Sequence, residues 1–198
     1  MRRREVFIAD KSASSRQRLR RILTEAGYAV VGEAGDGSSA LRGIRSLEPE
    51  VVVLDSDLPA LNGFEVARIV EEDHLAPVVL IASQTSWEFV EKAKESSVSA
   101  YLVRPVSERD LIPAIELAIA NYERRSRLQE KIRELEESLE SRKVIERAKG
   151  VLMKTMGLSE SEAYRLIQKQ AMDKSTSMRA IAEAVLLTYE LKKKGRGG

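Results

Sequence analysis

A chain of 198 residues, 43% hydrophobic and 32% charged, has the composition of one large globular domain, or a medium one with an appendage, that buries a real core. It has no cysteine, which excludes disulfides, thiolate zinc sites and cysteine nucleophiles, and no run approaches a membrane span, so a soluble cytoplasmic protein is expected. The net charge of +2 hides an asymmetry: residues 1–121 carry 15 Lys/Arg against 19 Asp/Glu, net −4, and residues 122–198 carry 18 against 12, net +6.

The first 120 residues alternate short apolar runs with segments of helical period. Val6–Ala9 reads as a strand, Ser14–Ala26 as a helix with Leu19, Ile22 and Leu23 on one face, and Tyr28–Gly32 as a second strand. A helix over Ser38–Leu47 precedes the strand Val51–Leu54, which is rich in valine and ends at Asp55. Helix Gly63–Glu72, strand Pro77–Ala82, helix Trp87–Ser96, strand Ala100–Val103 and helix Glu108–Tyr122 complete the series. Five strands interleaved with five helices predict an α/β fold with a doubly wound five-stranded parallel sheet. Right-handed crossovers then bring the carboxyl ends of strands one, three and five together, and with them Asp10, Asp55 and Arg104. The pocket so formed is acidic and directed at phosphate.

Behind this domain the pattern is wholly helical. Leu128, Ile132, Leu135 and Leu139 make a two-heptad seam, which predicts a homodimer through residues 128–139; the same pattern suits a helix lying on its own domain. Gly157-Leu158-Ser159 breaks the helix, with Ser159 and Glu162 placed to form a capping box, and a second break near Asp173–Ser177 precedes Met178–Leu191. The expected organisation is a domain over 1–121, a helical linker over 122–141, a three-helix bundle over 142–191 and a disordered basic tail over 192–198. Arg147, Lys149, Arg165 and Lys169 would neutralise phosphates of a polyanion, Gly150 would let one approach closely, and Tyr164 is either a stacking surface or a core ring. Leu152 and Met153 read as core, His74 as a solvated loop residue and Trp87 as packed at a helix start.

The first part resembles the receiver domain of two-component response regulators. The resemblance rests on Asp10, on Asp55-Ser-Asp-Leu-Pro with Gly63 eight residues on, on Ala76-Pro77, and on Tyr101-Leu-Val-Arg-Pro. It implies a flavodoxin-like fold and a phosphoacceptor at Asp55 served by a histidine kinase. It also implies Mg²⁺ held by Asp10, Asp55 and the Asp57 carbonyl, and a pocket that includes Lys11, Asp57, Ala82, Tyr101 and Arg104. Three positions depart from the pattern. Lys11 replaces a metal-binding acid, Ala82 a switch hydroxyl, and Arg104 a lysine. An ammonium repels Mg²⁺, so binding of the ion is doubtful here. Either Asp55 is phosphorylated weakly, or Lys11 and Arg104 pair with Asp10 and Asp55 as a structural charge cluster. The second reading is favoured.

The last part resembles the ANTAR domain, a three-helix RNA-binding module of transcription antitermination regulators. The residues concerned are Arg142-Lys-Val-Ile-Glu-Arg-Ala-Lys-Gly-Val-Leu-Met153, Leu158-Ser-Glu-Ser-Glu-Ala-Tyr164, Ala171-Met172 and Ile181-Ala182. Ile167-Gln168 and Ala171-Met172 depart from the usual second helix. The resemblance implies a regulator that binds RNA hairpin loops. A DNA-binding output and a protein-interaction adaptor are the alternatives, and no enzymatic activity is expected.

Overall fold

A strand of branched apolar residues is stable where both its faces are covered. Val51–Asp55 meets that condition, and every residue of this strand, β3, is buried. The structure, a computed structural model, describes residues 3–83 and 98–194. The helix expected over Trp87–Ser96, the packing of Trp87 and most of the basic tail lie outside the described residues.

Strands β1 (Glu5–Ala9), β2 (Ala29–Ala34), β3, β4 (Val78–Ala82) and β5 (Ala100–Val103) form one parallel sheet in the order β2-β1-β3-β4-β5. Helices α1 (Ala13–Glu25), α2 (Gly37–Leu47) and α3 (Gly63–Glu72) follow the first three strands, and α4 (Glu108–Met156) follows β5. The doubly wound fold expected from the sequence is the one observed. The second strand begins later than expected because Gly27, at φ +91°, closes α1, and Tyr28 N–H donates to the Leu23 carbonyl.

The period-2 alternation of the strands divides the core into two layers. On one face Val6, Ile8, Val51, Val53, Val79 and Ile81 pack with Leu19 and Leu23 of α1 and with Leu111 and Ile115 of α4. On the other, Phe7, Ala9, Val52, Leu54 and Leu80 pack with Ala40, Ile44, Val66 and Val70. Each such aliphatic side chain contributes about 1.5–3 kcal/mol on burial. The pairing of Asp55 with Ile81 and of Ala9 with Leu54 sets the three strand ends level, which positions the pocket.

The helix expected over Glu108–Tyr122 does not stop there. It runs 49 residues to Met156 and tolerates Pro113 in its second turn, where Leu111 and Ile115 on either side are fully buried. Two compact units divide near Arg127. The second is a three-helix bundle made by the end of α4, α5 (Glu160–Asp173) and α6 (Met178–Lys194) around Val144, Ala148, Leu152, Ala163, Ile167 and Ala182. Gly157, at φ +67°, ends α4 by donating its N–H to the Met153 carbonyl. The expected capping box is present: Glu162 Oε2 accepts from Ser159 N at 2.8 Å, and Ser159 Oγ accepts from Glu162 N. Leu152 is core as expected. Met153 is not, being 39% exposed on the side of α4 away from the bundle core.

Candidate functional site

Asp10 directly follows β1 and Asp55 ends β3, both with their side chains buried, although a bare carboxylate there costs heavily in desolvation. Asp10 is fully engaged. Its Oδ1 accepts from Ser12 N at 2.8 Å, its Oδ2 from Ser15 Oγ at 2.6 Å and from Arg104 Nη2, and its carbonyl from Arg16 Nη1 at 2.7 Å. Arg104 reaches in from the end of β5, and its Nη1 donates to Ser15 Oγ at 2.7 Å. The planar guanidinium thus spans a hydroxyl and a carboxylate with two adjacent nitrogens, which an ammonium does not do. Ser15 had no mark in the sequence beyond its place in the first turn of α1.

Asp55 is less well served. Its Oδ1 accepts from Asp57 N at 3.1 Å, while Oδ2 receives no hydrogen bond and lies 3.7 Å from Arg104 Nη2. Burial pushes its pKa above the ordinary 3.8, and Asp10 adds to this; the Asp57 amide, Arg104 and Lys11 pull the other way. Lys11 does not pair with Asp10 or Asp55, as the charge-cluster reading expected. Its ammonium, half exposed, lies 3.4 Å from Asp57 Oδ2, because it leaves the chain just past the strand end, toward the loop after β3. Ala82 is buried at the end of β4 and offers no hydroxyl, Ser83 is exposed, and Tyr101 stands partly exposed on β5.

Mg²⁺ requires a near-octahedral set of oxygens at roughly 2.0–2.1 Å. Both Asp10 oxygens already hold donors, a guanidinium occupies the space between Asp10 and Asp55, and an ammonium stands on Asp57. Among the described residues no group of three or more His, Cys, Asp or Glu is arranged to hold a metal. The residues present do not fit the ion.

The second unit carries the basic residues expected to meet RNA, and they separate onto different flanks. Tyr164 is 44% exposed, so its ring is not part of the bundle core. It lines an open cleft of about 590 Å³ with Lys149, Ser159, Glu160, Ser161 and Arg165. Lys149 itself is not a free cation. It is buried, and its Nζ donates to Glu146 at 2.8 and 2.9 Å and to Glu160 at 2.7 Å. Hydrogen bonds to Glu146 and Glu160 raise its pKa, and its own donation lowers that of Glu160. Its aliphatic stem lies along the bundle while the head reaches two carboxylates. Neither glutamate could be singled out in a chain so rich in charge. Among the described residues Arg147, Lys154, Arg165 and Lys169 have no ion-pair partner, and Gly150 is exposed on α4.

A parallel sheet of this strand order with buried acids at the ends of β1 and β3 is the architecture of a receiver domain, here followed by a small helical output module. Residues 6–116 match the response regulator receiver domain and residues 133–186 the ANTAR domain, and the chain belongs to the response regulators that combine the two. It is 40% identical over 185 residues to the transcriptional regulatory protein PdtaR of Mycobacterium tuberculosis, covering 93% of this chain and 90% of that one. The DNA-binding response regulator MtrA of Mycolicibacterium smegmatis is 30% identical over 123 residues, 61% of this chain and 53% of its own. Among solved structures, the receiver domain of the putative response regulator NarL from M. tuberculosis superposes with a TM-score of 0.58 at 26% identity, covering 61% of this chain and 98% of that chain. No helix among the described residues is long and apolar enough to cross a membrane.

Proposed function

We propose that this response regulator binds the loops of RNA hairpins through its C-terminal bundle and thereby controls transcription antitermination in the cytoplasm. The observation that carries the reading is an exposed tyrosine, Tyr164, with Arg165 beside it in the cleft and Lys169 one turn on, while Arg147 and Lys154 stand on a different flank, on α4; among the described residues none of these four cations has an ion-pair partner. Unpaired cations neutralise phosphates, and an exposed aromatic ring offers a splayed loop base a face to stack on. The bundle spans 142–191 and the receiver 1–121, with residues 122–141 as linker.

The receiver is proposed to work without a divalent ion and to accept phosphoryl groups from a histidine kinase weakly if at all. Arg104 and Lys11 supply the positive charge around Asp55. Phosphoryl transfer depends on charge stabilisation at the transferring group, and a metal ordinarily contributes several kcal/mol of it.

Competition between hairpin RNA and duplex DNA for the full-length protein, at stated salt, tests the output. Preference for the hairpin, with affinity falling as salt rises, is the expected result. Equal affinity for duplex DNA would favour a DNA-binding output, and no binding to either an adaptor role.

A further inference from the structure

Glycine within an α-helix is the least favourable residue after proline, because it gives up the most backbone freedom on folding. In the receiver, several glycines have a packing reason. A Cβ at Gly43 would stand 2.6 Å from the Phe7 ring, and Gly37 and Gly63 lie against the backbone carbonyls of Leu61 and Asp55. Gly150 has none. It sits well inside α4, and nothing lies within 4 Å of the place its Cβ would take.

That open space is the mouth of a groove of about 400 Å³ between α4 and α6. Arg147, Val151 and Lys154 line it from α4, and Leu186, Tyr189 and Glu190 from α6. Arg147, Gly150 and Lys154 share one flank of the helix by their spacing of three and four. Among the described residues neither cation has an ion-pair partner, so the groove is lined by two positive charges against the Glu190 carboxylate on its rim. Val151 and Leu186 give it an apolar floor, and Tyr189 is half-buried at its edge. This flank lies away from Lys149, whose ammonium is turned toward α5.

We propose that this groove receives one unpaired base of the bound RNA, resting on Tyr189, with the phosphates on either side of it held by Arg147 and Lys154. The missing side chain at Gly150 leaves room for the sugar–phosphate backbone. The site is separate from the Tyr164 cleft between α4 and α5, so the bundle presents two aromatic–basic surfaces. This inference rests on the RNA-binding reading. A stacked base flanked by phosphates is a mode that tolerates sequence at the stack and draws its strength from backbone charge.

The test is a binding titration of the full chain against a hairpin selected by the native protein from a pool with randomised loops, with 2-aminopurine placed in turn at each loop position. Gly150→Leu sets its Cβ in open space, extends its side chain into the groove and improves helix propensity. It is expected to hold or raise the melting temperature while weakening binding by roughly tenfold or more, the scale of one stacked base. Tyr189→Phe should bind as the native protein does, and Tyr189→Ala should lose the 2-aminopurine quenching. Arg147→Gln and Lys154→Gln should each reduce the slope of log affinity against log salt by about 0.7. Native affinity in a folded Gly150→Leu, or quenching unchanged in Tyr189→Ala, overturns the groove while leaving hairpin binding standing. Failure of the native protein to select any hairpin over duplex DNA overturns the RNA reading and the groove with it.

Discussion

Lys149 Nζ stands 2.7 Å from Glu160 Oε1, and the two residues belong to different helices, α4 and α5. Glu160 opens α5 next to its N-cap, Ser159, where a negative charge also favours the helix dipole. The lysine therefore fixes the first turn of α5, and through it the Tyr164 cleft, instead of presenting its charge to a ligand.

Lys149→Met alone is expected to lower the melting temperature and weaken RNA binding without changing the salt slope of what remains. The pair Lys149→Met with Glu160→Leu, which replaces the ion pair by an apolar contact, should recover both. A slope that drops by about 0.7 in Lys149→Met would show a phosphate contact after all. Thermal unfolding and anisotropy titration on the same samples decide it.

Asp55→Asn should stabilise the receiver at neutral pH. The Asp55 pKa is raised in the fold, so the folded chain holds its proton longer than the unfolded one. Below the ordinary value of 3.8 both states are protonated and the aspartate costs nothing. As pH rises through the window between 3.8 and the folded value, stability falls, and above it the full penalty of a buried charge remains. The difference in melting temperature between variant and native protein should therefore vanish at low pH and grow across that window. A difference that ran the other way would mean that Arg104 stabilises ionised Asp55 by more than burial costs it.

The cation-filled pocket predicts little heat on titration with Mg²⁺ and slow labelling by acetyl phosphate. Restoring an acid and a more compact cation with Lys11→Asp and Arg104→Lys should free Asp10 and Asp57 from their present partners and raise Mg²⁺ affinity at least several-fold. Rapid labelling of the native protein that requires Mg²⁺ and disappears in Asp55→Asn is the contrary outcome.

Leu128, Ile132, Leu135 and Leu139 are 55–60% exposed along one side of α4. Self-association through that seam is expected to be weak, since two heptads bury little area at about 25 cal/mol per Å². Ile132→Asp with Leu135→Asp should leave only monomer in sedimentation velocity at every concentration tested. A dimer that survives the pair of substitutions has its interface elsewhere.

Much of this molecule was legible in the residues. The valine run before Asp55 and the alternation of strands with helices lead to a doubly wound parallel sheet, and the crossover rule applied to that sheet brings Asp10, Asp55 and Arg104 together. What escaped was the partner of each flexible charge. Lys11 turned to Asp57, and Lys149 to Glu160, a residue on the far side of the Gly157 turn. Period and spacing locate a Cα; they do not say which of several nearby carboxylates a four-carbon stem will find. Ser15 was missed because a serine in a first turn ordinarily serves the helix itself.

The segment after β3 is confined by two glycines, Gly37 of α2 against its middle and Gly63 at its end. Gly37 N–H donates to the Pro59 carbonyl and Gly63 N–H to the Ser56 carbonyl, each at 3.0 Å, and neither glycine has room for a methyl group against the neighbouring backbone. The course of Ser56 and Asp57 past Asp55 is thus moulded by steric fit and main-chain bonds as well as by the Asp57 N–H bond to Asp55 and the Lys11 contact with Asp57. Chemistry and shape are separable here. The pocket can exchange an acid for Lys11, or a hydroxyl for Ala82, and the mould around it stays as it was; a single methyl at Gly63, at a cost of about 1–3 kcal/mol, would deform it with every charge still in place.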